Sequence, residues 1–325
     1  MLYGGIDEAG YGPMFGPLCA GVSVFEVPDD GLDDLPCLWN LLDSAVVRGR
    51  RDSKDRIAIN DSKKLKGGKS ASHPLTSLER GVLAFTAAAK NDSQWLETLD
   101  DVALLDHLGV AAPSTKWYDS TTQLPVGRTT PQLRIDRGRL SRIMERSKVR
   151  CAWVGAAAID AGEFNRQVET TGSKAIVNWE QIVTLIETCW KRAAARPLRL
   201  AIDRQGGRTR YLDDLGTTWP TATRRVMDET PEHSRYVLHM DGRGPLEIRF
   251  DARADERHLP VALASMTAKY VRELLMLRLN RFFTAHLPDL SPTAGYVQDG
   301  RRFLKDIEPV IKTTGIPLGQ LVRSC

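Results

Sequence analysis

Paired cysteines are what this sequence most plainly lacks. Its 325 residues hold five, at 19, 37, 151, 189 and 325, an odd number with no C-x-x-C spacing. Neither a disulfide framework nor a thiolate zinc site is expected, and a reducing compartment is. The six histidines (73, 107, 233, 239, 258 and 286) show no close ligand spacing. No run of about 18 apolar residues occurs, so no membrane-spanning helix is expected. Nor is a secretory leader, because Asp7 and Glu8 interrupt the place where its apolar core would lie. These absences together set a cytoplasmic location as the expectation. Internal repeats and long linkers are missing too. That favours one catalytic domain over residues 1–325, with insertions at about 28–60, 95–150 and 204–245.

What is present is an ordinary globular composition, 42% hydrophobic and 26% charged, which suffices for a sizeable core. The formal net charge of +4 is a faint hint of an anionic partner. Leu2 to Ile6 reads as a strand, and Leu18 to Val27 as a second. The glycine- and proline-rich stretch between them would turn the chain into a hairpin. Helical periodicity runs through Pro74–Lys90, Gln94–Leu108, Lys174–Ala195 and Pro260–Phe283, with a short basic helix at Arg139–Lys148. Cys151–Ile159 and Leu198–Ile202 are buried-strand patterns. Tyr236–Met240 and Leu246–Phe250 alternate as a further hairpin. The class is α/β.

The chemistry gathers around carboxylates. GIDEAGYGPMFGPL, residues 5–18, places Asp7 and Glu8 at the mouth of the first strand. Asp203 ends another apolar strand and precedes a glycine loop. Asp255 lies just before the long C-terminal helix, where the helix dipole alone would favour an acid. If the two strands are neighbours, four carboxylates meet. Mutual repulsion makes such a cluster tolerable when cations neutralise it. Hard divalent ions such as Mg²⁺ take oxygen ligands of this kind, and flanking glycines let a phosphate approach backbone N–H groups.

In order along the chain, these stretches resemble the motifs of ribonuclease HII, the type 2 ribonuclease H family. GIDEAGYGPMFGPL resembles its D-E, G-R-G-P signature. DSKKL at 61–65, AID at 201–203, ADERHLPVALASMTAKYVRE at 254–273 and Gly295-Tyr296 follow as the later motifs. The resemblance implies an RNase H-like fold, a mixed five-stranded sheet flanked by helices. It implies an endoribonuclease that hydrolyses the RNA strand of RNA–DNA hybrids or incises 5′ of ribonucleotides embedded in DNA, with roles in DNA replication and repair. It implies a two-metal-ion mechanism with Mg²⁺ or Mn²⁺, held and used in catalysis by Asp7, Glu8, Asp203 and Asp255. Gly10, Tyr11 and Gly12 would meet the scissile phosphate and a ribose 2′-hydroxyl. Ser62, Lys63 and Lys64 would bind strand phosphates. Tyr296 would stack at the RNA–DNA junction, and Lys269 and Arg272 would add charge or orient ligands. A monomer is expected.

The departures are specific. Tyr11 stands where the family has arginine, and GYGPMFGP also resembles ribonuclease HIII. Arg272-Glu273 replaces R-D, and Val297-Gln298 follows Gly295-Tyr296. Trp117, Tyr118, Arg139, Arg142 and Arg146, within an insertion, are candidates for an extended nucleic-acid surface or for plain packing. The alternative function is a nucleic-acid-binding RNase H-like protein whose nuclease activity is lost or redirected, for example to another DNA structure.

Overall fold

The computed structural model describes residues 1–28, 35–49, 55–61, 64–65, 73–92, 94–111, 113 and 115–324. The sheet strands are, in chain order, β1 (Leu2–Ala9), β2 (Leu18–Glu26), β3 (Arg150–Ile159), β4 (Leu198–Asp203), β5 (Thr223–Glu229), β6 (His233–His239) and β7 (Leu246–Asp251). They lie side by side as β3-β2-β1-β4-β7-β6-β5. The β1–β4 and β4–β7 pairs are parallel, and the other four neighbour pairs are antiparallel. This is the expected mixed α/β class, a sheet flanked by helices, but with seven strands rather than five. The two extra strands, β5 and β6, come from the 204–245 segment. They extend the sheet because β6 pairs antiparallel with β7. Outermost β5 is largely exposed, so its sequence carries no buried-strand signal.

The longer helices are α1 (Thr76–Lys90), α2 (Thr130–Arg146), α3 (Ala161–Thr171), α4 (Lys174–Ala193), α5 (Leu259–His286) and α6 (Val297–Asp306). Strand alternation divides the core between them. Leu2, Ile6, Val22 and Val24 pack toward Trp179, Ile182 and Ile186 of α4. Tyr3, Cys19 and Phe25 pack on the face that holds Val261, Leu263 and Tyr270 of α5. The expected helix over 94–108 is broken, because Asp100 caps a new start by accepting the N–H of Ala103.

Two glycines decide how closely α5 lies on the sheet. A Cβ on Gly5 would stand 2.2 Å from the backbone nitrogen of Val261. One on Gly21 would stand 2.2 Å from the carbonyl oxygen of Ala264. Backbone cannot yield as a side chain can, so Gly5→Ala is expected to cost about 3 kcal/mol. The thermal midpoint should fall by several degrees, and an unchanged midpoint would show that α5 is not seated on Gly5.

The insertions join the core. Arg278 of α5 and Asp101 form a buried ion pair at 2.7 Å, and Arg278 also donates to the Tyr118 carbonyl. Buried Glu79 accepts the N–H groups of Val126 and Gly127 and the Tyr270 hydroxyl. Trp117 and Tyr118 are buried, so they serve as packing and not as an open stacking platform. The described part of 28–60, expected as polar surface, buries Leu38, Trp39, Val46 and Ile57. Ser62 and Lys63 lie outside the described residues. Among the described residues, no helix is long and apolar enough to cross a membrane.

Candidate active site

The strand register brings the first acids together. Ile6 of β1 pairs with Ile202 of β4 in parallel register. The next residues, Asp7 and Asp203, therefore leave adjacent strands at the same height. Asp203 then places the fourth acid. Its carboxylate accepts the N–H of Ala254 at 2.8 Å, at the start of the short helix Ala254–Arg257 that carries Asp255. Arg253, just before, takes a left-handed conformation (φ 56°) that turns the chain back toward the sheet end.

Asp7, Glu8, Asp203 and Asp255 all line one cleft of about 550 Å³. Gly10, Tyr11, Gly12, Lys269 and Tyr296 line it too. So do Asp61, Arg253, Glu256 and Ser265. Burial pushes the Asp7 carboxyl well above the usual range, and the charges of Glu8 and Asp203 add to the rise. A hydrogen bond from Ser265 opposes it. That serine reaches Asp7 because α5 sits directly on Gly5. Asp255 is also raised, by burial first and then by Asp61 and Glu256.

The donor chemistry fits a hard divalent cation, with carboxylate and hydroxyl oxygens in one cleft and like charges that raise the Asp7 and Asp255 carboxyls. The ligands are not drawn into a finished cage. Among the described residues, no three histidine, cysteine, aspartate or glutamate side chains are gathered as an ion-holding set. In that cleft Asp7 feels the charges of Glu8 and Asp203, and Asp255 those of Asp61 and Glu256.

The glycine turn is clamped from two sides. Gly10 has φ +85°, and a Cβ there would lie 2.7 Å from the Pro17 carbonyl oxygen and 2.8 Å from the Arg272 side chain. Arg272 is wholly buried and donates to the carbonyls of Phe15 (3.1 Å) and Ala294 (2.9 Å). It thus ties the 10–16 turn to the loop before Tyr296. The N–H groups of Met14 and Phe15 reinforce that tie by donating to the Gly295 carbonyl. Arg323 donates to the carbonyls of Gly10 and Pro13 from the other side. Arg272 is absent from the cleft lining and acts through these loops rather than by touching a ligand. Tyr296 is 48% exposed in the cleft.

The remaining cations are partly engaged. The Lys64 ammonium lies 2.7 Å from Glu256, outside the cleft lining. Lys269 bonds Glu273 at 2.7 Å. The sequence reading missed Asp61, Glu256, Ser265 and Arg323 as site residues. Asp61 opens the DSKKL stretch, from which the reading took Ser62, Lys63 and Lys64 as phosphate contacts. Ser265 falls on the same helix face as Lys269, a usable signal. Arg323 carries no local signal, since only the fold returns residue 323 to residue 10.

No protein-family model matches the chain, and no curated protein matches it. Solved structures do. RNase HII of Archaeoglobus fulgidus, determined in a complex with PCNA, is 15% identical over 99% of this chain and 94% of that one, with a TM-score of 0.41. The ribonuclease H2 of Pyrococcus horikoshii OT3 is 14% identical over 99% and 92%, also at 0.41. Bst-RNase HIII, determined with Mn²⁺, is 15% identical over 99% and 66%, at 0.38. The structural neighbours are ribonucleases HII and HIII. The placement of the cleft residues rests on the geometry above and not on this likeness.

Proposed function

We propose that this protein is a metal-dependent endoribonuclease of the type 2 ribonuclease H kind, acting on RNA–DNA hybrids, on ribonucleotides embedded in DNA, or on both. The observation that carries the reading is one cleft holding Asp7, Glu8, Asp203 and Asp255 beside the glycine turn and Tyr296. In the reaction, a water oxygen bonds to phosphorus and the bond to the 3′-oxygen breaks, leaving a 3′-hydroxyl and a 5′-phosphate. Asp7, Glu8, Asp203 and Asp255 would hold Mg²⁺ or Mn²⁺, which when bound would supply Lewis-acid polarisation of the phosphate and of the attacking water. The chain's own part is placement. Backbone at Gly10 to Gly12 meets the scissile phosphate and the 2′-hydroxyl that separates RNA from DNA. Tyr296 stacks on the neighbouring deoxyribose, and Lys269 adds positive charge. Lys64, outside the cleft lining, holds a strand phosphate, a role proposed also for Ser62 and Lys63 from their sequence positions. We further propose a cytoplasmic monomer with one catalytic domain.

The test is a cleavage assay with two substrates, a DNA duplex carrying one ribonucleotide and a long RNA–DNA hybrid. Each is run with Mg²⁺, with Mn²⁺ and with chelator. Metal-dependent cutting of either supports the reading, and cutting that survives chelation refutes the metal assignment. Tyr296→Ala is expected to slow cutting at the lone ribonucleotide about tenfold while sparing the long hybrid, in line with the ~1–3 kcal/mol of a stacking contact. Equal losses on both substrates would remove Tyr296 from junction recognition.

A second reading is a nucleic-acid-binding protein with lost or redirected nuclease activity. It keeps the cleft and its glycine turn as a binding surface and gives up only the hydrolysis. Retained binding with no cutting in either metal would select it.

A further inference from the structure

The lip of the cleft carries a cation that nothing else in the site accounts for. Tyr11 stands in the cleft, and its ring is half-buried against Leu18, Ile159, Phe164 and Val177. Over that ring, 5.4 Å from its centroid, lies the ammonium of Lys174. Lys174 is exposed and opens the 20-residue helix α4. The positive end of a helix favours acids and disfavours a cation. Here the first turn holds no acid, and among the described residues Lys174 forms no ion pair. A lysine with a mobile stem is thus held by an aromatic face alone, against the local field, at the mouth of an acidic cleft. The ring fixes where the ammonium sits, exposed and open to an anion.

We infer that Lys174, seated on Tyr11, forms a phosphate subsite that grips the nucleic-acid backbone beside the carboxylate cleft. The inference rests on the proposed nuclease reading and deepens it. The ring supports the ammonium through its electron-rich face. The ammonium meets a backbone phosphate as a point charge, without regard to base. In this arrangement Tyr11 is a pedestal for a positive charge supplied from another helix.

The experiment measures binding of a labelled RNA–DNA hybrid to the full chain in chelator, so that no cleavage is needed. Affinity is followed against salt for the wild type and for Lys174→Ala, Lys174→Glu and Lys174→Arg. Lys174→Ala is expected to weaken binding several-fold and to flatten the log–log salt slope by about one. Lys174→Glu should weaken it further, and Lys174→Arg should keep both affinity and slope. Wild-type binding with an unchanged slope in Lys174→Ala would overturn the subsite while leaving the nuclease reading intact. A lowered melting temperature with an unchanged slope would overturn it in favour of a structural brace for Tyr11. Failure of the wild type to bind the hybrid would overturn the nuclease reading and the subsite together.

Discussion

Asp7→Asn is expected to lower cleavage by about a thousandfold, or ~4 kcal/mol of transition-state stabilisation. Hybrid binding should persist, because the cationic surface is untouched. The same change should leave the fold at least as stable in chelator. Asp7 is buried, and its charge is opposed by desolvation and by Glu8 and Asp203. A neutral amide of nearly the same shape removes that opposition while keeping a partner for the Ser265 hydroxyl. Loss of activity with an equal or higher melting temperature is the pattern of a site held at a cost to stability. Cleavage and thermal unfolding measured on one preparation decide the matter. Retained cleavage would sink the metal-ligand assignment. Lost cleavage with a collapsed melting temperature would show Asp7 to be structural.

Arg272→Ala is expected to destabilise the protein by about 3 kcal/mol or more. The guanidinium is wholly buried, so its removal opens a cavity and leaves the carbonyls of Phe15 and Ala294 without their donor. Arg272→Lys should rescue in part at most, because Nη2 donates to both carbonyls while Nη1 faces Glu273, and a lysine brings a single nitrogen on a different stem. The effect on activity should exceed the effect on folding. Loosening the tie between the glycine turn and Tyr296 misplaces both segments proposed to contact the substrate. Under conditions where Arg272→Ala remains folded, cutting at a lone ribonucleotide should fall more than cutting of a long hybrid. An unfolding midpoint equal to wild type would refute the clamp.

The sequence reading succeeded where chemistry and short-range pattern coincide. GIDEAGYGPMFGPL announced two strands joined by a turn, and β1 and β2 pair across it. Asp203 and Asp255 stood out by position, at a strand end and before a helix, and both line the cleft. Arg272 misled because an arginine spaced three residues from Lys269 invites a shared solvent-facing role. Helical spacing does not say how near the neighbouring loops come. For Trp117 and Tyr118 the sequence left packing and a nucleic-acid surface both open, and burial selects packing. Aromatics in an irregular basic stretch look available, and only the Arg278–Asp101 pair and its surroundings draw them inward. Strand β5 was missed because an exposed edge strand has no apolar alternation to read.

By itself, the sequence determined the α/β class, the opening hairpin and the identity of the acids. These depend on residue type and on spacings of a few positions. The tertiary structure alone decided what those acids face. The parallel register of β1 and β4 sets Asp7 beside Asp203. The absent Cβ of Gly5 lets α5 bring Ser265 to Asp7. Arg323 returns to Gly10 from more than 300 residues away, and Lys174 comes to rest on Tyr11. Such contacts follow from the packing of whole elements, where backbone approach and burial select partners that no local pattern encodes.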